Sequence, residues 1–92
     1  MADSRPRWTV IVPYRAEKML RRVPADFRPR IKKAIDDLAD EPRPHGCKKL
    51  TGYDDLYRLR VGDWRIIYAI EDDRLIIVVA TLAQRDTAYR DL

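Results

Sequence analysis

The sequence predicts an α+β fold: an N-terminal strand, an antiparallel helical hairpin, then three consecutive strands in a mainly antiparallel sheet (β-α-α-β-β-β). Two observations carry this prediction. Apolar residues recur at helical spacing between residues 16 and 38, and from residue 56 the apolar pattern changes to the period of two that is typical of strands. With 92 residues the chain has the length of one domain, so we expect a single domain over residues 1–92.

The first strand is predicted over residues 8–14, which are rich in β-branched and aromatic side chains. Pro13 has no N–H to donate to a neighbouring strand, so it should lie near the end of this strand or on an edge of the sheet. An apolar stripe at helical spacing then runs from residue 16 to residue 23 and predicts the first helix.

A second apolar stripe runs from Phe27 to Leu38 and predicts the second helix, with Asp26 as its N-cap. Pro29 is tolerated in the first turn, where its missing N–H would have no intrahelical partner. Because few residues separate the two stripes, the helices should form an antiparallel hairpin.

Three strands are predicted in succession over residues 56–61, 64–71 and 75–82, and residues 48–50 are a candidate short extended segment. Residues 75–80 are continuously apolar, as expected of a strand that is covered on both faces. Asp72-Asp73 provides the turn before this strand.

Gly62-Asp63 is a two-residue hairpin loop, and glycine at its first position suits a type II′ turn. This loop places Arg60 opposite Arg65. Because side chains alternate between faces, one face then carries Arg58, Arg60 and Arg65. The other face should form the core under the helices; its residues are Leu59, Val61, Trp64, Ile66 and Tyr68.

Two interpretations of the three arginines stay open at this point. Like charges directly opposite each other destabilise a sheet, so a solvated face would require the side chains to splay apart into water. Alternatively the face is a binding surface for a polyanion, because guanidinium groups hold phosphate through paired hydrogen bonds and stay charged at physiological pH.

The charge distribution agrees with an anionic partner. The formal net charge is +4, yet residues 1–35 contain ten basic and three acidic residues, a net charge of +7. Residues 36–42 contain four acidic residues and no basic one. A nucleic acid or an acidic protein could use this asymmetry.

Cysteine and histidine content argues against a metal site. His45 and Cys47 lie two residues apart in one loop, and the sequence has no further Cys or His with which to complete a zinc site. A lone cysteine also fits a reducing compartment. The first residues lack the apolar segment of a signal peptide, and no apolar run approaches transmembrane length, so we expect a cytoplasmic protein without membrane association.

Several segments together resemble the RelE/ParE toxin superfamily, and within it the RelE branch. The block from Tyr57 to Tyr68 is the specific part of the likeness, which extends over nearly the whole chain. The matching segments are residues 48–52, 56–60, 61–65 and 66–68, with Arg85 and Tyr89 near the end. The resemblance implies a toxin of a type II toxin–antitoxin system that enters the ribosomal A site and cuts messenger RNA there, without metal or other cofactor.

The resemblance carries five catalytic positions over to this chain. Arg58 and Arg60 fall where family members have two lysines on one strand, and Arg65 matches the arginine of the family's G-x-[YW]-R stretch. Arg85 matches the arginine after the last strand, and Tyr89 matches the C-terminal tyrosine. Arginine in place of both lysines keeps the charge but removes a proton acceptor, because arginine does not deprotonate in proteins.

The resemblance further implies that Arg43, Lys48 and Lys49 contact RNA as a phosphate footprint. Some relatives use a Glu/His pair as acid and base, whereas here Gln84 precedes Arg85. The implied partners are a cognate antitoxin, the ribosome and its messenger RNA, with operator DNA contacted only through the antitoxin complex. An acidic or amphipathic antitoxin segment could bind as a helix in a groove or add as a strand, and the edge strand near Trp8–Tyr14 is one place for strand addition.

Two other functions stay open. The superfamily includes ParE-like toxins that inhibit DNA gyrase without chemistry of their own, and fold alone does not separate the two activities. A catalytically weak homologue that acts through antitoxin binding and operon autoregulation is the second alternative.

Overall fold

The computed structural model describes residues 7–84, which form a five-stranded sheet with two helices on one of its faces. The strand order is β1-β5-β4-β3-β2, in which β1 is parallel to β5 and the other neighbours are antiparallel. The elements are β1 (Thr9–Ile11), α1 (Tyr14–Arg22), α2 (Arg28–Asp37), β2 (Lys48–Lys49), β3 (Leu56–Val61), β4 (Trp64–Glu71) and β5 (Ile76–Gln84). The predicted α+β class and element order are confirmed.

The first strand is shorter than the sequence predicts. β1 covers only Thr9–Ile11 at an edge of the sheet, and Tyr14 already belongs to α1. Pro13 is the cause, because it cannot donate to a neighbouring strand and its carbonyl oxygen instead accepts the N–H of Glu17 at 2.9 Å, which starts the helix. The extension of the strand to Tyr14 was therefore wrong, whereas the place of Pro13 beyond an edge strand is confirmed.

The start of the second helix also differs from the prediction. Phe27 occupies the N-cap position and no side chain caps the helix, so the assignment of Asp26 as N-cap was wrong. The backbone supplies the hydrogen bonds at this end of the helix instead: the carbonyl oxygen of Pro24 accepts from the N–H groups of Phe27 and Arg28, both at 3.0 Å. The guanidinium of Arg28 donates to the carbonyl oxygens of Arg21 and Val23, and thereby satisfies the C-terminal end of α1.

The core lies between the two helices and the sheet, and it contains both predicted helical stripes. Tyr68 is fully buried in this core, and its hydroxyl donates to the carbonyl oxygen of Pro42 at 2.9 Å. Burial raises the pKa of the Tyr68 hydroxyl, so it stays a protonated donor. The buried residues are Ala16, Leu20, Val23, Ile31, Ile35, Leu38, Ile66, Tyr68, Ile70, Ile77, Val79 and Leu82.

The strand β5 is covered fully on one face only. Ile77, Val79 and Leu82 reach the core, and the register shift opposite Ile67/Tyr68 gives β5 one extra residue, which explains the step of three between Val79 and Leu82. The residues between them are half-buried, so the predicted cover on both faces is complete on the core side and partial on the other, where Ala80 and Ala83 pack on Leu50 and Ile67. The strand starts at Ile76 because residues 72–74 form a 3₁₀ turn that ends on Leu75 with φ 54°.

The turn between β3 and β4 is closely packed. Gly62 has φ 59°, and Asp63 is not among the described residues with positive φ, which agrees with the predicted type II′ turn. A Cβ atom on Gly62 would lie 2.5 Å from Cε1 of Phe27, so the N-cap residue of α2 packs against this turn. No helix within residues 7–84 is long and apolar enough to cross a membrane.

We predict that Gly62→Ala lowers the free energy of unfolding by about 1–3 kcal/mol, because it combines an unfavourable φ with a clash against the Phe27 ring. Gly46→Ala is the matched control, since Gly46 also has positive φ (+92°) but nothing within 4 Å of its added methyl group. Urea unfolding of both variants measures the difference. Equal losses would show that the contact with Phe27 contributes nothing.

Candidate functional site

The outer face of the sheet, opposite the helices, concentrates positive charge. The register confirms the predicted pairing: Arg60 lies opposite Arg65, and Arg58 lies opposite Ile67. Lys48 on β2 is the cross-strand partner of Arg58, which places it on the same side. We call the four side chains Lys48, Arg58, Arg60 and Arg65 the basic face.

Arg65 is held against the sheet and does not extend into water. It is only 8% exposed, and its Nη1 donates to the carbonyl oxygen of Asp63 at 3.4 Å. Arg58 is half-buried, and Arg60 is exposed. The interpretation in which all three arginines splay apart therefore fails for Arg65. A guanidinium that is already fixed loses less conformational entropy when it binds an anion.

A depression of about 480 Å³ adjoins the basic face at the β2 edge. Its floor is the buried residue Leu50, which packs on Ile67 in a small apolar cluster with Leu56, Ala80 and Ala83. The residues that line it are Lys48, Lys49, Leu50, Thr51, Tyr53 and Arg58. Sequence reasoning missed Tyr53, although it directly follows the Lys48–Gly52 segment that was singled out.

The predicted RNA contact Arg43 lies apart from the basic face. Its Nη1 and Nη2 donate to the two carboxylate oxygens of Asp72 at 3.2 and 3.0 Å, and its guanidinium lies 5.0 Å from the ring centre of Tyr57. Tyr57 faces the helices and stacks on Tyr68. Lys49 pairs with Tyr57, so its side chain leaves β2 on the side opposite to that of Lys48, although both residues line the depression at this edge.

The ion pair of Arg43 and Asp72 shifts the protonation of both groups. The hydrogen bonds from Arg43 hold the pKa of the Asp72 carboxyl below its ordinary value of 3.8. The same bonds raise the pKa of the Arg43 guanidinium, which stays charged. This pair joins the loop before β2 to the turn after β4.

Two predicted catalytic residues, Arg85 and Tyr89, lie outside the described residues. The last described residue, Gln84, pairs with Trp64, and Ala83 pairs with Arg65. The described part of β5 therefore ends beside the Arg65 end of the basic face.

The basic face can bind phosphate groups and stabilise negative charge, and its arginines cannot act as proton acceptors. Together with the α+β fold, it defines a small protein that has a cluster of cationic side chains on one face of its sheet, chemically suited to hold a polyanion.

Comparisons with known proteins identify the family. Residues 10–88 match the family model of the ParE toxin of the type II toxin–antitoxin system parDE. The chain is 30% identical over 88 residues to a Methanocaldococcus jannaschii protein named toxin RelE1, which covers 92% of this chain and 98% of that protein. It is 28% identical to the mRNA interferase RelE of Shigella flexneri over 74 residues, 78% of this chain and 77% of that protein.

A solved structure agrees with these relatives. The archaeal RelE-RelB complex from Pyrococcus horikoshii OT3 superimposes with a TM-score of 0.77 at 30% identity, covering 87% of this chain and 97% of that chain. The chain therefore belongs to the RelE/ParE superfamily of type II toxins, and its relatives place it in the RelE branch.

We predict that Asp72→Asn weakens the fold at neutral pH and that the loss disappears in acid. A carboxyl with a lowered pKa stabilises the fold above its unfolded value of 3.8, and this contribution is lost as the pH falls through the lower folded value. Urea midpoints of wild type and variant should converge below pH 3.8. Asp73→Asn is the matched control, and an equal effect of both variants would contradict the role of the Arg43 pair.

We predict that Arg60→Thr raises the free energy of unfolding by about 0.2–1 kcal/mol, because it removes the like charge opposite Arg65. The gain should shrink in high salt, and binding to single-stranded RNA should weaken. Arg74→Thr serves as control, since Arg74 pairs with Glu71 at 3.3 Å and its loss should not stabilise. A destabilised Arg60→Thr variant would refute the repulsion.

Proposed function

We propose that this protein is a ribosome-dependent endoribonuclease that cleaves messenger RNA in the A site and thereby inhibits translation. The observation that carries the proposal is the side-by-side placement of Arg58, Arg60 and Arg65 on one sheet face, with Arg65 fixed against it. The RelE names of the curated relatives, one of them an mRNA interferase, support the same activity. This activity places the protein in the cytoplasm, where ribosomes translate.

The proposed reaction uses a nucleophile that RNA already contains. The 2′-oxygen of one nucleotide attacks the adjacent phosphorus, the bond from phosphorus to the 5′-oxygen breaks, and the products are a 2′,3′-cyclic phosphate and a 5′-hydroxyl. The 2′-hydroxyl loses a proton and the leaving oxygen gains one. A protein accelerates this reaction by aligning the two oxygens in line and by stabilising the charge on the phosphoryl oxygens.

Each basic side chain has a proposed part in this reaction. Arg65 and Arg85 stabilise the charge on the phosphoryl oxygens, while Arg58 and Arg60 hold the backbone and favour the ionised 2′-hydroxyl. Tyr89 stacks on a base or relays a proton. Lys48 and Lys49 contact phosphates of the surrounding RNA. We assign Arg43 a weaker part in this footprint, because its guanidinium is engaged with Asp72.

The arginines cannot remove the 2′-proton, since arginine stays protonated at physiological pH. We therefore propose that this proton passes to a group of the RNA or the ribosome, which makes cleavage depend on the ribosome. The positive charge that the reaction needs is supplied by guanidinium groups, so we expect cleavage in the presence of a chelator.

We also propose a cognate antitoxin as partner, because the structural relative from Pyrococcus horikoshii is a RelE-RelB complex. Its inhibitory segment should be acidic or amphipathic in order to cover cationic surface. Operator DNA would be contacted only through that complex.

DNA gyrase inhibition is the second candidate function, and the match to the ParE family model favours it. The basic face argues for the ribonuclease, since a gyrase inhibitor without chemistry does not need several guanidinium groups side by side on one face of the sheet. A binding-only homologue that represses its own operon with its antitoxin would show neither activity.

The test adds purified protein to 70S ribosomes programmed with a defined message and an empty A site, in the presence of chelator. Primer extension then maps the ends of the message. We expect cleavage by the wild type, and a loss of about 100-fold or more in the Arg65→Ala, Arg85→Ala double variant.

Two further variants make this test specific. The first is a double variant, Arg58→Ala with Arg60→Ala, which removes charge from more exposed positions. It keeps the test interpretable if loss of the buried Arg65 disturbs folding. Arg74→Ala changes an exposed arginine in the 3₁₀ turn after β4, so it is the matched control and should cleave like wild type. Absence of cleavage with protein in excess over ribosomes would refute the proposal, and a gyrase supercoiling assay would then distinguish the two alternatives.

A further inference from the structure

We infer that the depression at the β2 edge is a binding subsite for one unpaired nucleotide next to the cleaved position, with its base on Tyr53 and its phosphate on Lys48 and Arg58. The inference deepens the proposed ribonuclease function and rests on it. Three features of the described residues carry it: a rigid apolar floor, an exposed aromatic ring and a pair of neighbouring cations.

The floor of the depression is rigid. Leu50 is 8% exposed and packs on the fully buried Ile67. The loop that follows is closed by backbone hydrogen bonds, since the N–H of Leu50 donates to the carbonyl oxygen of Leu56 at 2.9 Å and that of Tyr53 to Leu50 at 3.3 Å. The position of Tyr53 relative to the strands is therefore fixed by the backbone.

Tyr53 is suited to stacking. Its side chain lines the depression and is 39% exposed, whereas the aromatic residues Tyr57 and Tyr68 are packed on the opposite side of the sheet. An exposed tyrosine beside cationic groups is a common way to bind unpaired RNA, because every base has a face on which a ring can stack.

The cations connect the depression to the proposed site of cleavage. Lys48 and Arg58 are direct cross-strand neighbours, and Arg58 both lines the depression and belongs to the basic face. Arg58 and Arg60 are two residues apart on one strand, a separation of about 6.6 Å, which is comparable to the distance between successive phosphates of an RNA strand. One RNA strand can thus pass from the depression across Arg58 to the guanidinium groups of Arg60 and Arg65.

The volume agrees with this ligand class, because 480 Å³ lies within the range of sites that enclose small molecules of nucleotide size. Leu50 offers a base no hydrogen-bonding side chain, and Thr51 and Tyr53 offer only hydroxyl groups, which can both donate and accept. The subsite should therefore accept any base and contribute to binding more than to sequence preference.

The first experiment compares Tyr53→Ala and Tyr53→Phe in the ribosome cleavage assay at subsaturating protein. Tyr53→Ala should slow cleavage by about 5-fold to 100-fold through weaker binding, with little change at saturation. Tyr53→Phe keeps the ring and should cleave like wild type. Tyr14→Ala is the matched control, because Tyr14 is a more exposed tyrosine (66%) on α1.

The second experiment removes the base from the RNA in order to test whether Tyr53 stacks on it. An abasic nucleotide is placed in turn at each position flanking the cleaved one. We expect wild type to lose rate at one flanking position and Tyr53→Ala to lose nothing further there, because ring and base act as one pair. Additive losses would refute the stacking contact.

The outcomes separate the subsite from the proposed activity. If wild type cleaves and Tyr53→Ala cleaves equally well, the subsite is refuted and the ribonuclease stands. If wild type does not cleave, the ribonuclease falls, and the subsite is judged by binding of a short 2′-deoxy-substituted RNA to wild type and Tyr53→Ala. A variant that binds RNA normally but binds the antitoxin poorly would assign the depression to the protein partner and refute the inference.

Discussion

The register of β3 against β4, set by the two-residue turn at Gly62-Asp63, is the constraint on which the rest of the structure depends. Successive side chains of a strand point to opposite faces of the sheet. A register shift of one residue would therefore move the buried side chains of a strand to the outer face. The observed register sends Trp64, Ile66 and Tyr68 under the helices, and the arginines to the other side. Phe27 packs against the same turn, which links the register to the start of α2.

The two faces of the sheet make contributions of opposite sign to the free energy of unfolding. On one face Ile66 and Tyr68 are fully buried, and this burial stabilises the fold. On the other, Arg60 and Arg65 repel each other across the ladder, as do Lys48 and Arg58. A surface selected for stability alone would place acidic residues among them. Like charges thus lower the stability of the fold at the face proposed to bind RNA. Such local destabilisation is common at functional sites.

Fold and activity separate in this superfamily, so function has to be argued from the site. The match to a ParE family model and the likeness to RelE proteins are both explained by one shared scaffold. What favours the ribonuclease is local: guanidinium groups converge on one face, Arg65 is fixed there, and a depression that contains Tyr53 continues the same surface. In the proposed reaction, Arg58 and Arg60 cannot accept the 2′-proton, because arginine does not deprotonate in proteins.

The element order, the helical stripes, the β3–β4 register and hence the arginine face could be predicted from the amino-acid sequence, because they follow from local periodicity and one short turn. The bulge in β5, the burial of Arg65 and the ion pair of Arg43 with Asp72 could be seen only in the folded structure. These features depend on contacts between segments distant in the chain: Arg43 contacts Asp72, 29 positions away, and Leu50 after β2 packs on Ile67 of β4. Local patterns contain no information about such contacts, which is why Tyr53 was missed.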